Sequence, residues 1–583
     1  MAVRTLSDRL PLRLPPSASS WAAAYGRLAG RQLREEWFGT PPHLWSLARP
    51  RPEGQAAAPR DFRPADLDRG RAVLAGHFAF DGLEIQLAEG EGPWNRPAPS
   101  RAYAAELHRM AWLRDLMAAD PAGPRRALAL AQAWQTVFCP WNSFSWAPIC
   151  LSRRVFNLAC AQRRLSTVAS PDESQALLDS LARQARHLLL LRDGPRWEAE
   201  RAVSAAVAGS VLAGRAGERI MAQALDRLEP ALKASVLADG GHASRSPEAG
   251  LELLFDLMTL DDGLQQLGLP APEEMARAID RLGAGLRYFT LADGRLASFQ
   301  GGEQSGTERV IAAGAFGQAE RDEAAGGPLL STSPSAPHAG YEKLIGRRIQ
   351  AIVDAAPPAR GAWSPTACAQ PLAIEVIGGR DRLITGSGWS SRAEGHQGLR
   401  LTPAASTLTL AEGSAGAPIG GLRARLLGYR LEGGAQTVDL RRHDAHAGAW
   451  LELSHDGWAQ AFGLIHERRL FLDAASDELR GEDRVRPQDE PAPDVRRIAQ
   501  FAVRFHLQPG VRAELADDQR AVLLKGPSNT GWWLRSDAAE LSLEPSLHLS
   551  GGRPRRTLQI VLRGLIGAER TGRIRWKIAA QEG

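Results

Sequence analysis

A helical half followed by an antiparallel β half, in the α+β multidomain class, is the architecture this sequence predicts. Three observations predict it. Apolar residues recur with helical spacing through residues 101–289, the period shortens to two from about residue 344, and between the two regimes residues 314–340 are dense in Gly, Ala, Ser and Pro. A chain of 583 residues is also too long for one ordinary core and fits two large domains.

In chain order, the first 70 residues hold one basic amphipathic helix, residues 21–37, and then a Pro-rich connection. Its Arg27, Arg31 and Arg34 suit a membrane surface or, more commonly, the solvated face of a docked helix. Further on, Leu177, Leu178, Leu181, Ala185, Leu188 and Leu189 share one helical face, and residues 197–214 continue with Ala, Val and Gly, small enough to let helices approach closely. After the linker, Phe501, Val503, Phe505 and Leu507 alternate with Ala502, Arg504 and His506, as Leu558, Ile560 and Leu562 alternate with Gln559, Val561 and Arg563. Short strands are expected also at residues 422–430, 450–453, 458–465 and 521–525. The expected units are an N-terminal arm at 1–75, a helical domain at 76–330 and a β domain at 331–583.

A hydrophobic content of 44% and a charged content of 23% exclude a disordered or fibrous chain. The 71 basic residues exceed the 66 acidic ones, for a net charge of +5, and most are Arg. The guanidinium fork suits carboxylate and sulfate, although an Arg-favouring codon bias gives the same excess. Cys139, Cys150, Cys160 and Cys368 form no CxxC pair, so neither a disulfide framework nor a cysteine metal site is expected. Residues 1–16 lack the apolar stretch of a secretory signal, and no 18-residue apolar run occurs, so no membrane span is expected. Oligomeric state is not legible, and no nucleic-acid partner is expected.

Two segments carry candidate chemistry. In Asp239-Gly240-Gly241-His242-Ala243-Ser244-Arg245-Ser246-Pro247 the glycines permit a tight loop between two helices that exposes His242 and Arg245. A loop histidine is more often a structural hydrogen-bonder than a catalyst. In residues 286–299, Tyr288 ends a helix before a turn at Asp293-Gly294. It is either a phenolic proton carrier or an aromatic packing the last helical turn, the latter being commoner.

These two segments, in this order, resemble those of the heparinase II/III-like family, bacterial proteins that cleave uronate-containing polysaccharides. Residues 69–76, 100–108, 112–116, 337–341, 406–410, 454–458 and 466–470 are similar to family segments too, so the resemblance covers most of the chain. It implies an incomplete (α/α) toroid followed by a C-terminal antiparallel β-sandwich, with an acidic polysaccharide in the cleft between them and a location in the cell envelope. The missing signal leaves a cytoplasmic location open. The implied reaction is β-elimination. A donor neutralises the uronate carboxylate, a base removes the C5 proton, and an acid protonates the leaving oxygen. His242 and Tyr288 are the implied catalytic residues, and Arg245, Arg154 and Trp146 the implied substrate-binding ones. No cofactor is needed for this chemistry. A structural zinc or calcium is a minor expectation, for which His443, His446, His455 and His466 are the candidates.

The sequence also departs from the family pattern. The histidine-bearing stretch at the start of the β domain reads Ser364-Pro365-Thr366-Ala367-Cys368-Ala369-Gln370-Pro371-Leu372, Ala405 stands where a second histidine often precedes Ser406, and Ile149 replaces an aromatic. Two functions therefore follow from the resemblance: an eliminative lyase, or a glycan-binding or scaffold protein that kept the cleft without turnover. A hydrolase would need paired carboxylates, which no segment supplies.

Overall fold

The structure is a computed structural model that describes residues 18–80, 82–88, 90–192, 194–315, 331, 333–391, 395–489 and 499–581. Helices fill the chain from Ala18 to Gly314 and strands dominate from Ser335 to Ala580. The switch falls in the Gly- and Pro-rich stretch, whose residues 316–330 lie outside those described, as do residues 1–17.

Local rules start the helices where the core needs them. Ser170 and Glu173 close a reciprocal capping box at the head of Pro171–Leu190, and Ser246 caps Pro247–Gln266 with Pro247 in the first turn. The helix Glu198–Val211, built largely of Ala, Val, Ser and Gly, is buried over most of its length. Small residues let Arg215–Ser235 pack hard against it. A Cβ added to Gly217 would sit 1.8 Å from the Leu212 carbonyl oxygen. The basic helix expected at 21–37 spans Ala18–Phe38.

The N-terminal segment is strapped onto the helical domain rather than set apart from it. A Cβ on Gly70 would stand 2.1 Å from the Asp115 carbonyl oxygen, so the helix Leu67–Leu74 lies directly on Trp112–Ala119. Arg63 is buried, reaching Glu252 at 2.9 Å and Asp256 at 2.5 Å.

Two large antiparallel sheets, one of nine strands and one of eight, build the β half, with a small two-stranded sheet of Gly416–Pro418 and Leu431–Gly433 beside them. Strands Tyr341–Ile345, Ile349–Asp354, Ile374–Gly378 and Asp381–Thr385 of the nine-stranded sheet are covered on both faces. Tyr341, Ile352 and Ile377 join the helical core, while Leu344, Val353 and Val376 join the core between the sheets. One sheet thus cements helical domain to sandwich. Two expected strands differ. Residues 422–430 hold the helix Gly421–Leu427, because Leu422, Ala424 and Leu426 alternate in a run of strong helix formers, and Ala459–Phe462 is a helical turn before the strand Leu464–Asp473.

Candidate functional site

The loop 236–246 forms the floor of the seam between the two halves. A bridge pairs Val236 with His242, and the Leu237 amide donates to the Gly241 carbonyl at 2.8 Å. Both glycines are required by contact. Gly240 has φ +83° and an added Cβ would meet the Arg281 carbonyl oxygen at 1.9 Å, while one on Gly241 would meet the Ala339 side chain at 2.4 Å.

His242 is therefore held at the seam, its ring edge-on to Trp363 of the β domain at 5.1 Å between centroids. Its Nδ1 accepts the Ser244 amide at 3.2 Å and lies 2.7 Å from the Ser244 hydroxyl. An Nδ1 that accepts a backbone N–H carries no proton, so the hydrogen is on Nε2. Burial, helped by the nearby Arg196, lowers its pKa to about 4. The ring is consequently neutral near pH 7, with one N–H to offer and its only lone pair engaged by Ser244. That arrangement can donate to an anion; it is poorly suited to removing a proton.

Arg245 is committed elsewhere. It adopts φ +65°, is 8% exposed, and donates to the carbonyls of Ala339, Gly340, Ala356 and Pro357 at 2.8–2.9 Å and to Asp354 Oδ1 at 2.5 Å. Asp354 Oδ2 in turn accepts from Gln300 at 2.7 Å and Gln370 at 3.2 Å. This arginine rivets the helical domain to the sandwich and leaves no donor for a substrate acid, against the role the family resemblance implies for it.

Tyr288 is also interior, 4% exposed at the end of the helix Glu273–Phe289. Its hydroxyl donates to the Tyr341 carbonyl at 2.9 Å, the Lys343 ammonium lies 4.7 Å from its ring centroid, and burial raises its pKa far above the ordinary phenol value. A buried neutral phenol with its proton on a backbone carbonyl is a packing residue rather than a proton carrier. Tyr288→Phe is expected to cost about 0.5–1.5 kcal/mol, the net worth of one hydrogen bond, and to leave glycan binding unchanged. Urea unfolding beside a glycan-binding titration checks both.

The two remaining residues of the implied set are buried in the helical domain. Arg154 is fully buried, donates to Gln184 at 2.7 Å and the Ser145 carbonyl at 2.6 Å, and stacks 4.3 Å from the Trp134 ring centroid. With no carboxylate beside it, burial lowers its pKa to about 9. Trp146 donates its indole N–H to the Phe138 carbonyl and meets His187 edge-on.

Of the candidate metal ligands, His455 and His466 meet, with Nε2 and Nδ1 3.0 Å apart, while His443 and His446 are exposed. His466 Nε2 pairs with Asp483 at 2.8 Å and the Gly457 amide donates to His455 Nδ1. Every ring nitrogen of His455 and His466 is used in a hydrogen bond. Among the described residues no group of three His, Cys, Asp or Glu is placed to hold a metal ion.

A narrow cavity lies in the β-domain wall of the seam, lined among others by Gln300, Cys368, Trp389, Arg400, Ala405 and Ser406, with about 20 Å³ of free volume. That is room for a water and far too little for a sugar ring. Arg400, fully buried, stacks over Trp389 at 5.0 Å and donates to the carbonyls of Ala367 and Tyr429. The sequence reading missed Arg196, Trp363, Trp389 and Arg400. No motif spacing marks them.

Residues 328–577 match the model of the heparinase II/III-like C-terminal domain. FtsZ-localized protein C of Caulobacter vibrioides (strain NA1000 / CB15N) is 49% identical over 566 residues, 97% of this chain and 96% of that protein. Over 93% of this chain and 90% of the other, the fold superposes on the crystal structure of heparinase III with a TM-score of 0.68 at 14% identity. The chain belongs to the heparinase II/III-like family. The heparan sulfate lyase HepC of Pedobacter heparinus, in a mutant form, shares the fold at TM-score 0.55 and 16% identity, over 93% of this chain and 87% of that one. Identities this low carry the fold and not the activity. Within that fold, Cys368 and Gln370 of the histidine-free stretch 364–372 and Ala405 line the same cavity. No helix among the described residues is long and apolar enough to cross a membrane.

Proposed function

We propose that this chain is a non-cleaving member of the heparinase II/III-like family that serves as a scaffold localised with FtsZ. One observation carries the reading: Cys368 and Gln370, from the stretch 364–372 that lacks the family's histidine, and Ala405, where a second histidine often stands, converge on one water-sized cavity, and none of the described residues lining it is a histidine or a carboxylate. The other parts of the implied machinery support the same reading. Arg245 and Tyr288 are consumed in joining the domains, and His242 lends its lone pair to Ser244. The localisation half rests on the 49% identity, over nearly the full length, to a protein named for its localisation with FtsZ.

Two measurements test it. Purified protein incubated with a panel of uronate polysaccharides is expected to give no rise in ultraviolet absorbance, because elimination alone leaves an unsaturated uronate. A rise that disappears in His242→Ala would establish a lyase and overturn the scaffold. A fluorescent fusion is expected to coincide with FtsZ and to disperse when FtsZ is depleted; a fusion indifferent to FtsZ removes the localisation half. The lyase reading draws its support from the fold and from the Nε2 hydrogen of His242 at the seam.

A further inference from the structure

The eight-stranded sheet packs one face on the nine-stranded sheet and turns the other outward. Strand register arranges the outward side chains in rows. Across the strands Val438–Ala445, Gly448–His455, Leu464–Asp473, Leu479–Pro487 and Gly572–Ala580 one row reads Arg441, Glu452, Arg469, Glu482, Arg575. A neighbouring row reads Trp450, Phe471, Arg480, Lys577 and, on Gly531–Ser536, Arg535. Rows of this kind repeat at the strand spacing of about 4.8 Å.

The two signs of charge are not equally presented. Glu482 is 20% exposed and is shared by Arg575 at 3.0 Å, Arg573 at 3.8 Å and Arg469 at 3.9 Å, whose side chains are 58%, 50% and 54% exposed. Arg469 also lies 3.6 Å from Glu452, which is 44% exposed, so two carboxylates serve three guanidiniums and leave an excess of positive charge and N–H donors facing solvent. Arg535 lies over the Trp533 ring and makes no ion pair among the described residues. Beside this cationic block, Trp450 and Phe471 stack at 4.4 Å and give the face a half-buried apolar step.

We infer that this outer face docks an acidic, mixed-charge protein segment bearing an apolar side chain. Charge complementarity selects an anionic partner. The alternation of Arg and Glu along the first row selects a polypeptide among anions. A phosphate or sulfate polymer would carry anions over Glu452 and Glu482 as well as over the arginines, whereas a peptide can set its own basic residues opposite them. The Trp450–Phe471 step gives such a segment an anchor of the kind that fixes register. The inference concerns a surface remote from the seam and stands whether or not the chain localises with FtsZ.

The test uses the full chain and three probes of matched charge: a fluorescein-labelled peptide of alternating acidic residues with interspersed Lys and one Phe, heparin, and a short DNA duplex. The peptide is expected to bind, to weaken as salt rises, and to lose about tenfold or more in affinity in Arg573→Glu/Arg575→Glu, with Arg575→Gln intermediate. These side chains are half-exposed, so an unchanged melting temperature separates lost docking from lost folding. Failure of the peptide to bind, an affinity indifferent to the charge reversal, or displacement of the peptide by heparin or DNA at equal charge would each overturn the inference.

Discussion

Lowering the pH from 7 to about 4 is expected to unfold this protein, with stability falling steeply below the pKa of free histidine. Eight histidines have pKa values depressed by burial. His108 and His187 fall to about 3, and His242, His506 and His548 to about 4, from 6.5; His43, His455 and His466 are lowered as well. A folded-state pKa below the unfolded one means that the unfolded chain binds more protons between the two values. The stability contributed by each neutral ring is therefore complete above pH 6.5 and is lost as the pH falls toward the folded value, at up to about 1.4 kcal/mol per pH unit for each histidine. Several acting together exceed the few kcal/mol per domain that hold most proteins folded. The hydrogen-bond chain explains why they cannot simply ionise in place. His466 donates to Asp483 and accepts from His455, which accepts from the Gly457 amide, so protonating His455 would set a ring N–H against a backbone N–H. Melting temperature against pH, with proton uptake on unfolding from calorimetry in two buffers, reads this directly. A melting temperature that stays flat between pH 7 and 5 would contradict it.

The division into helices and sheets is legible in the sequence because burial imposes its period on the chain, 3.6 on one face of a helix and two on a half-buried strand. The same rule fails where it is satisfied twice. Leu422, Ala424 and Leu426 alternate as a strand would, yet Leu, Ala and Arg are also strong helix formers, and the segment is helical. At the seam the glycine pair locates the loop and places His242 beside the β domain, because close approach of backbone to backbone is written in the glycines themselves. Roles are less legible than places. Whether Arg245 faces a cleft or four carbonyls depends on Asp354, 109 residues away, and whether Tyr288 transfers a proton or packs depends on Tyr341 and Lys343. Those partners are fixed by tertiary packing and leave no trace in local spacing. The histidine-free stretch 364–372 and Ala405 are visible in the sequence as departures from a pattern; only the fold brings Cys368, Gln370 and Ala405 into one cavity.

Arg245→Met is expected to cost about 3–5 kcal/mol of stability, the largest effect of any single substitution at the seam. The change leaves Asp354 buried at 0% exposure with only the amides of Gln300 and Gln370, and it removes a donor from four carbonyls, of which Gly340 keeps the Ala355 amide. An uncompensated buried carboxylate costs more than the ion pair itself contributes, so the double substitution Arg245→Met/Asp354→Leu should be destabilised by less than the sum of its parts. Asp354→Asn keeps an oxygen for the arginine and should lie between the extremes. Urea unfolding of the wild type, Arg245→Met, Asp354→Leu, the double variant and Asp354→Asn measures each difference. The same series separates the two roles for this arginine. A substrate-binding arginine would lose glycan affinity while leaving the unfolding curve in place, whereas an interdomain rivet loses stability.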